Sequence, residues 1–149
     1  VNDVNAFTLA RERGIVIAET SSPHARDFTD LIRVEVRSGG DVTRVVGTVL
    51  GRRNRPHLLE AWGSRFNVQL EQHLAIFRYR DQPGMLGRVG TALGNAGVNV
   101  VSAAVGRRPD DGSHDEAVMI VTADSRVPAQ VLETLLDEAD FFAAREVSL

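Results

Sequence analysis

The chain has 149 residues, a net charge of -3, 43% hydrophobic residues and 25% charged residues, which is an ordinary globular composition. It contains no cysteine, so disulfides, thiol nucleophiles and thiolate metal sites are excluded. All 17 basic residues are arginine, which excludes a Schiff-base lysine and a Walker-type phosphate lysine.

Charge and hydrophobicity also limit the kinds of partner that the chain could bind. A slightly acidic chain is unlike a general nucleic-acid binder, so we expect no nucleic-acid partner. No apolar run approaches the roughly 18 to 20 residues that span a bilayer, and the first residues do not resemble a signal peptide. We therefore expect a soluble, cytoplasmic chain with no membrane partner.

The first half predicts one helix and then strands. Val4, Phe7 and Ala10 recur at helical spacing, and Gly14 can end that helix. The β-branched run 15–17 predicts a short strand directly after it.

Three further strands are predicted before residue 72. Alternating apolar residues over 32–37, a turn at 38–41 and a return over 42–50 predict a hairpin, and 65–70 alternates in the same way. Residues 1–72 are therefore predicted to be one helix followed by a β-meander.

The second half has a different order of elements. The patterns predict, in order, strand 74–80, helix 85–96, strand 98–105, strand 117–122, helix 128–136 and strand 141–149. This βαββαβ order is typical of a ferredoxin-like α+β fold with two helices on one face of an antiparallel sheet. We place the domains at 1–72 and 73–149, and expect them to move as one because no flexible linker separates them.

The most distinctive candidate site lies between the first strand and first helix of the second half. Tyr79 and Asp81 are two residues apart, a strand would aim both to the same side, and the turn at 83–84 would expose the N–H groups of 84–86. Asn99 begins the neighbouring strand and is expected to share this volume, which would suit an α-amino acid. A purely structural interpretation stays open, because Asp before Pro-Gly is a common helix cap.

Two stretches resemble known modules. The span 74–149, with its Asp-x-Pro-Gly-x-Leu turn at 81–86 and Gly-Val-Asn strand entry at 97–99, resembles an ACT domain, a regulatory module that binds amino acids. The stretches 9–15 and 47–49 resemble the latter part of the intervening "allosteric substrate binding" domain of long-form D-3-phosphoglycerate dehydrogenases, as found in actinobacteria. On this resemblance, 1–72 is a partial intervening domain.

The resemblance implies a function. The parent enzyme would oxidise 3-phosphoglycerate with NAD in L-serine biosynthesis, and L-serine or a related small amino acid would bind between the ACT domains of a homo-oligomer as a feedback effector. The effector-binding positions carried over are Tyr79, Asp81, Pro83, Gly84, Met85, Leu86 and Asn99, the turn residues contributing backbone. The catalytic residues and the NAD-binding glycines would lie upstream, so this chain is expected to hold no cofactor and to have no dehydrogenase activity.

An arginine cluster and the histidines give weaker indications of function, and two other functions stay open. Arg52, Arg53 and Arg55 form a candidate anion-binding cluster, although the sequence favours a solvated surface loop there, since no defined anion-binding motif is present. The four histidines lack ligand spacing, so no metal site is predicted. The rivals are the β-chain of a two-subunit L-serine dehydratase and a stand-alone amino-acid sensor.

Overall fold

The structure is a computed structural model that describes residues 5–21, 30–107 and 115–149. Its elements are α1 (Ala6–Glu12), β1 (Leu31–Ser38), β2 (Asp41–Leu50), β3 (Arg55–Ala61), β4 (Ser64–Gln69), β5 (His73–Arg80), α2 (Met85–Asn95), β6 (Val100–Arg107), β7 (Glu116–Ala123), α3 (Ala129–Leu136) and β8 (Phe141–Ser148). The strands form two antiparallel sheets, which confirms the α+β prediction.

The first sheet is a meander in the order β1-β2-β3-β4. The hairpin expected over 32–50 is present, with Val34 opposite Val45 and a turn at Gly39 and Gly40, both of which have positive φ. Helix α1 begins after Asn5 and is followed by Gly14 at φ 69°, as predicted. Asn2 and Asp3, either of which the sequence offers as a cap for this helix, lie outside the described residues.

Two details of the first half differ from the predictions. The run Ile15, Val16 and Ile17 is exposed and forms no strand, because no described strand lies alongside to satisfy its backbone. The second difference is β3 (Arg55–Ala61), a strand that no sequence pattern predicted. Its turn into β4 uses Trp62 at φ 49° and Gly63 at φ 79°, and a Trp in the left-handed region carries no turn signal in the sequence.

The second sheet has the order β6-β7-β5-β8, so the first strand of the unit lies in the middle and β6 lies at an edge. Helices α2 and α3 pack on one face, where α2 contacts β6 and α3 contacts β8. The core between helices and sheet includes the fully buried Phe77, Val89, Leu93 and Met119. This arrangement brings the start of α2 and the end of β6 to the same end of the sheet.

The first sheet covers the other face of the second sheet. Leu58, Ala61 and Val68 from β3 and β4 form a buried cluster with Ile120 of β7. Strand β4 crosses closely over β6, where a Cβ added to Gly106 would lie 2.3 Å from the Phe66 ring and 2.5 Å from the Arg65 carbonyl oxygen. This contact, which we call the seam, joins the two units through their sheets.

The outer half of the first sheet leaves an apolar face open. Ile32, Val34 and Val36 project to one side of β1 and are 71%, 54% and 56% exposed. Val45 of β2 pairs with Val34 and extends this face, whereas Arg33, Glu35 and Arg37 project to the other side.

Candidate functional site

The turn after β5 places Asp81 at the entrance to α2. The Asp81 N–H donates to the carbonyl oxygen of Asp115 at 2.9 Å, which ties the turn to the start of β7. Gly84 then adopts φ 92°, a conformation that only glycine adopts readily, and α2 begins at Met85 without a side-chain cap. Among the described residues, no side chain caps the N–H groups of the first helical turn.

Asp81 forms an ion pair with Arg107, the last residue of β6. The Arg107 Nε donates to Asp81 Oδ2 at 2.5 Å, and its Nη2 lies 3.4 Å from Oδ1. The Asp81 side chain is 14% exposed and the Arg107 side chain 63%, so the carboxylate is the inner partner. With Gln82 and Pro83, the pair lines an open hollow of about 510 Å³.

The sequence patterns did not indicate Arg107, because the strand they predict ends at residue 105, two residues before the observed end of β6. Pairing across the sheet explains its position: Ala117 of β7 lies opposite Tyr79 of β5 on one side and opposite Arg107 on the other. The βαββαβ order itself implies this row, since β7 joins β5 to β6, so the topology could have pointed to the end of β6.

Tyr79 is a core residue whose hydroxyl lies near enough to Asp81 and Arg107 to be influenced by their charges. The side chain is 2% exposed, and its ring lies 6.0 Å from that of Phe141. Burial, followed by the nearby Asp81 carboxylate, raises the pKa of Tyr79 to about 12, while the Arg107 cation opposes this rise. The phenol is therefore neutral at physiological pH and can donate a hydrogen bond.

Arg88 holds the start of α2 against the end of α3 and β8. Its guanidinium donates to Asp140 at 2.8 Å, forms an ion pair with Glu138 and lies 5.4 Å from the centre of the Phe141 ring. This hydrogen bond from Arg88 lowers the pKa of Asp140 below its usual value. The helix end that borders the hollow is thus fixed by charge and by packing.

The remaining turn residues divide into exposed and buried side chains. Pro83, Gly84 and Leu86 are exposed, whereas the Met85 side chain is 3% exposed and packs inward, with its sulfur 3.3 Å from an Arg88 nitrogen. Met85 can therefore meet a ligand only through its backbone.

Asn99 does not share the hollow with Asp81 in one chain. It precedes β6, and the next residue, Val100, pairs with Ala123 in a row that also contains His73, the first residue of β5. Arg107 lies eight residue steps after Asn99 along an extended strand, a distance of roughly 25 Å. The expectation of one shared volume is therefore wrong for a single chain, because the strand between the two groups runs the full length of the sheet.

The edge formed by β6 is open to solvent. The strand pairs with β7 on one side only, and Val101 and Val105, which project towards the helices, are 60% and 45% exposed. Above this edge, α2 presents a row of residues spaced by four, Leu86, Gly90 and Gly94, on the side away from α3. A Cβ added at either glycine would meet no atom of another element within 4 Å.

The arginine cluster lies far from this edge. Arg52 and Arg53 occupy the exposed turn between β2 and β3, and Arg55 is the exposed first residue of β3. No ion pair joins these three side chains to another residue in the described part of the chain, and nearby His57 contacts Asn67 at 2.7 Å. This geometry does not gather the three guanidinium groups around a cavity.

Comparison with known proteins assigns both units. Residues 73–140 match the ACT domain model, and residues 1–60 match the model described as the D-3-phosphoglycerate dehydrogenase intervening domain. The D-3-phosphoglycerate dehydrogenase of Methanocaldococcus jannaschii is 33% identical over 135 residues, covering 91% of this chain and 25% of that protein. That of Mycobacterium tuberculosis is 31% identical over 152 residues (100% and 28%), and that of Bacillus subtilis is 28% identical over 153 residues (100% and 28%).

The chain thus contains an ACT domain that follows a second small unit. In its domain content, an intervening domain followed by an ACT domain, the chain is similar to part of these D-3-phosphoglycerate dehydrogenases. It spans about a quarter of the length of the curated relatives it matches.

The described residues also bear on membrane spanning and on metal binding. Among residues 5–21, 30–107 and 115–149, no helix has the length and apolar character needed to cross a membrane. The same ranges contain no group of three or more histidine or acidic residues arranged to hold a metal ion.

Proposed function

We propose that this chain senses a small α-amino acid, L-serine, for a D-3-phosphoglycerate dehydrogenase, and that the ligand binds between the ACT domains of two copies. The observation that carries this proposal is the Asp81 hollow at the open β6 edge of an ACT domain. A carboxylate, a neutral phenol and helix N–H groups there suit the ammonium and oxygen atoms of an amino acid.

A two-fold dimer accounts for the position of Asn99. If two β6 strands pair antiparallel about their centre, residues near 103 meet, and Asn99 of the partner subunit comes opposite Arg107. The partner's side-chain amide then faces Asp81 across the new edge, so each hollow is completed by the other copy. The same arrangement covers Val101 and Val105 and lets the glycine row of one α2 approach that of the other.

Regulation follows from ligand binding at such an interface. A ligand that contacts both copies favours the quaternary arrangement in which both sets of contacts form, and it can shift distant active sites only by that difference in affinity. The proposed parent is a cytoplasmic enzyme that oxidises 3-phosphoglycerate with NAD, and L-serine would be its feedback inhibitor.

The described residues do not fit NAD. Both sheets are antiparallel, and Gly84, Gly87 and Gly90 are three residues apart, which is not the Gly-x-Gly-x-x-Gly spacing of a dinucleotide-binding turn. We therefore assign NAD binding and catalysis in the proposed parent to residues outside this chain.

The match to an intervening domain described for D-3-phosphoglycerate dehydrogenase favours this function over a dehydratase β-chain. It also favours an attached enzyme over a stand-alone sensor. The dehydratase and the stand-alone sensor would each be supported by a gene that lacks a dinucleotide-binding domain upstream of these residues.

Calorimetric titration of the purified chain with L-serine tests the proposal. We expect selective binding that is lost in Asp81→Ala, because the ammonium then has no counter-ion. The matched control is Glu146→Ala, which removes an equally shielded carboxylate paired with Arg126 at the other end of β8 and should bind as the unmodified chain does. Binding of no small amino acid by a demonstrated dimer, or unchanged affinity in folded Asp81→Ala, would contradict the proposal.

A further inference from the structure

Arg107 has N–H donors in the hollow that no described residue uses. A guanidinium carries five N–H donors, and two of the Arg107 nitrogens face Asp81, Nε closely and Nη2 at the longer distance of 3.4 Å. Its remaining N–H groups form no hydrogen bond with another described residue, and the side chain is 63% exposed beside the hollow.

Asp81 also retains an acceptor. A carboxylate offers about four lone-pair positions, and the close contact with Arg107 involves Oδ2. Oδ1 is only weakly engaged and remains available to a second cation on the side of the hollow. The ion pair thus presents one negative and one positive group, side by side, to a bound molecule.

We propose that Arg107 selects for the carboxylate of the effector, so that the hollow accepts zwitterionic α-amino acids and rejects simple amines and simple carboxylates. This inference rests on the proposed function. The ligand ammonium contacts Asp81 Oδ1, while the free Arg107 N–H groups donate to the ligand carboxylate, and four charges of alternating sign then form a closed ring.

Charge alone gives this selectivity. An amine without a carboxylate leaves the Arg107 donors unmatched and adds a cation beside a cation, and a carboxylate without an ammonium is repelled by Asp81. The hydrogen bond from Arg107 to Asp81 raises the pKa of the guanidinium, which therefore carries its positive charge at physiological pH.

The test compares L-serine with L-serinamide, which keeps the ammonium and hydroxyl and lacks the carboxylate. Both ligands are titrated into the unmodified chain and Arg107→Gln at about pH 6.5, below the usual pKa range of an α-amino group. We expect the unmodified chain to prefer L-serine at least tenfold. Arg107→Gln should lose about 10- to 100-fold in affinity for L-serine and change less than threefold for L-serinamide.

Two further variants sharpen the result. Arg107→Lys keeps the charge without the planar fork and should fall between the unmodified chain and Arg107→Gln. Arg126→Gln removes the guanidinium of the matched surface pair with Glu146 and should leave both affinities unchanged.

The outcomes separate the two proposals. If the unmodified chain binds no L-serine, the proposed function fails before Arg107 is tested. If it binds L-serine and folded Arg107→Gln keeps the same preference over L-serinamide, Arg107 does not select the carboxylate. Tighter L-serine binding by Arg107→Gln would also overturn the inference, because Arg107 would then compete with the ligand for Asp81.

Discussion

At the scale of single residues, the candidate site combines a buried phenol with a partly shielded ion pair. Tyr79 contributes mostly to the core through its ring, which packs against Phe141. The charges of Asp81 and Arg107 influence the pKa of its hydroxyl. The sequence indicated Tyr79 and Asp81 as neighbours because they are two apart. It could not show that one of them is 2% exposed, since burial depends on the helix packed above it.

The raised pKa of Tyr79 can be measured directly, because Tyr79 is the one tyrosine in the chain. We expect the phenolate absorbance of the folded protein to rise with a midpoint near 12, and that of the unfolded chain near the ordinary value of about 10. A midpoint near 10 in the folded protein would contradict the burial of the hydroxyl.

The same shift predicts how stability depends on alkaline pH. The unfolded chain loses the Tyr79 proton first, so the stability contributed by the neutral buried phenol is complete below about pH 10 and is lost as the pH rises towards 12. Tyr79→Phe should remove this part of the alkaline decline in chemical denaturation, and Tyr79→Phe is also the control for tyrosine absorbance.

At the scale of elements, the free edge of β6 and the glycine row of α2 form one proposed dimer surface. Gly90→Leu should add a bulky side chain without a clash inside one chain, because no atom of another element lies within 4 Å of the added Cβ. We therefore expect a folded protein whose dimer dissociation constant is at least tenfold higher, as measured by sedimentation equilibrium.

Thr91→Leu is the matched control for that experiment, since Thr91 is exposed on the same helix and borders the groove towards α3. It should dimerise as the unmodified chain does. A Gly90→Leu protein that dimerises normally would place the dimer surface elsewhere, and a monomeric unmodified chain would contradict a β6 interface altogether.

The order of elements in the second half could be predicted from sequence because each has a clear period. Met85, Val89 and Leu93 recur at helical spacing, and the flanking strands are bounded by glycine and polar turns. The errors fall where a partner outside the local sequence decides. The β-branched run that ends at Ile17 is typical of a strand, but no described strand lies beside it. Residues 55–61 form β3 because β2 and β4 pair with them on both sides.

The position of Asn99 is an error of the same kind. A motif lists residues in chain order, whereas strand direction decides which end of the sheet each one reaches. Asp81 follows the end of β5 and Asn99 precedes the start of β6. Since both strands are antiparallel to β7, β6 runs parallel to β5, and the two residues therefore lie at opposite ends of the sheet.

At the scale of the whole molecule, the seam couples two units that differ in how they are stabilised. The ACT unit has a large core between its sheet and its helices, whereas the buried apolar side chains Leu58, Ala61 and Val68 of the first sheet rely on Ile120 of the ACT unit. The first sheet therefore depends on the seam for much of its burial.

Gly106→Ala should weaken this seam selectively. The added Cβ would overlap the Phe66 ring and the Arg65 carbonyl, so β4 must shift, and overpacking of this kind costs about 1–3 kcal/mol. Differential scanning calorimetry should show the first sheet melting earlier, ahead of the ACT unit. Gly87→Ala, an exposed helical position without neighbours within 4 Å, should be neutral or stabilising; an unchanged Gly106→Ala transition would contradict the close crossing.

The open apolar face of β1 has a practical consequence for work with this chain in solution. Ile32, Val34 and Val36 lie on an edge strand with unpaired backbone groups, which is the combination that promotes edge-to-edge aggregation. At high concentration, molecules of the chain will associate through this strand, and such nonspecific aggregates would raise the apparent molecular mass. Replacing Val34 with lysine would give a better-behaved sample, in which association through the ACT edge can be weighed without that background.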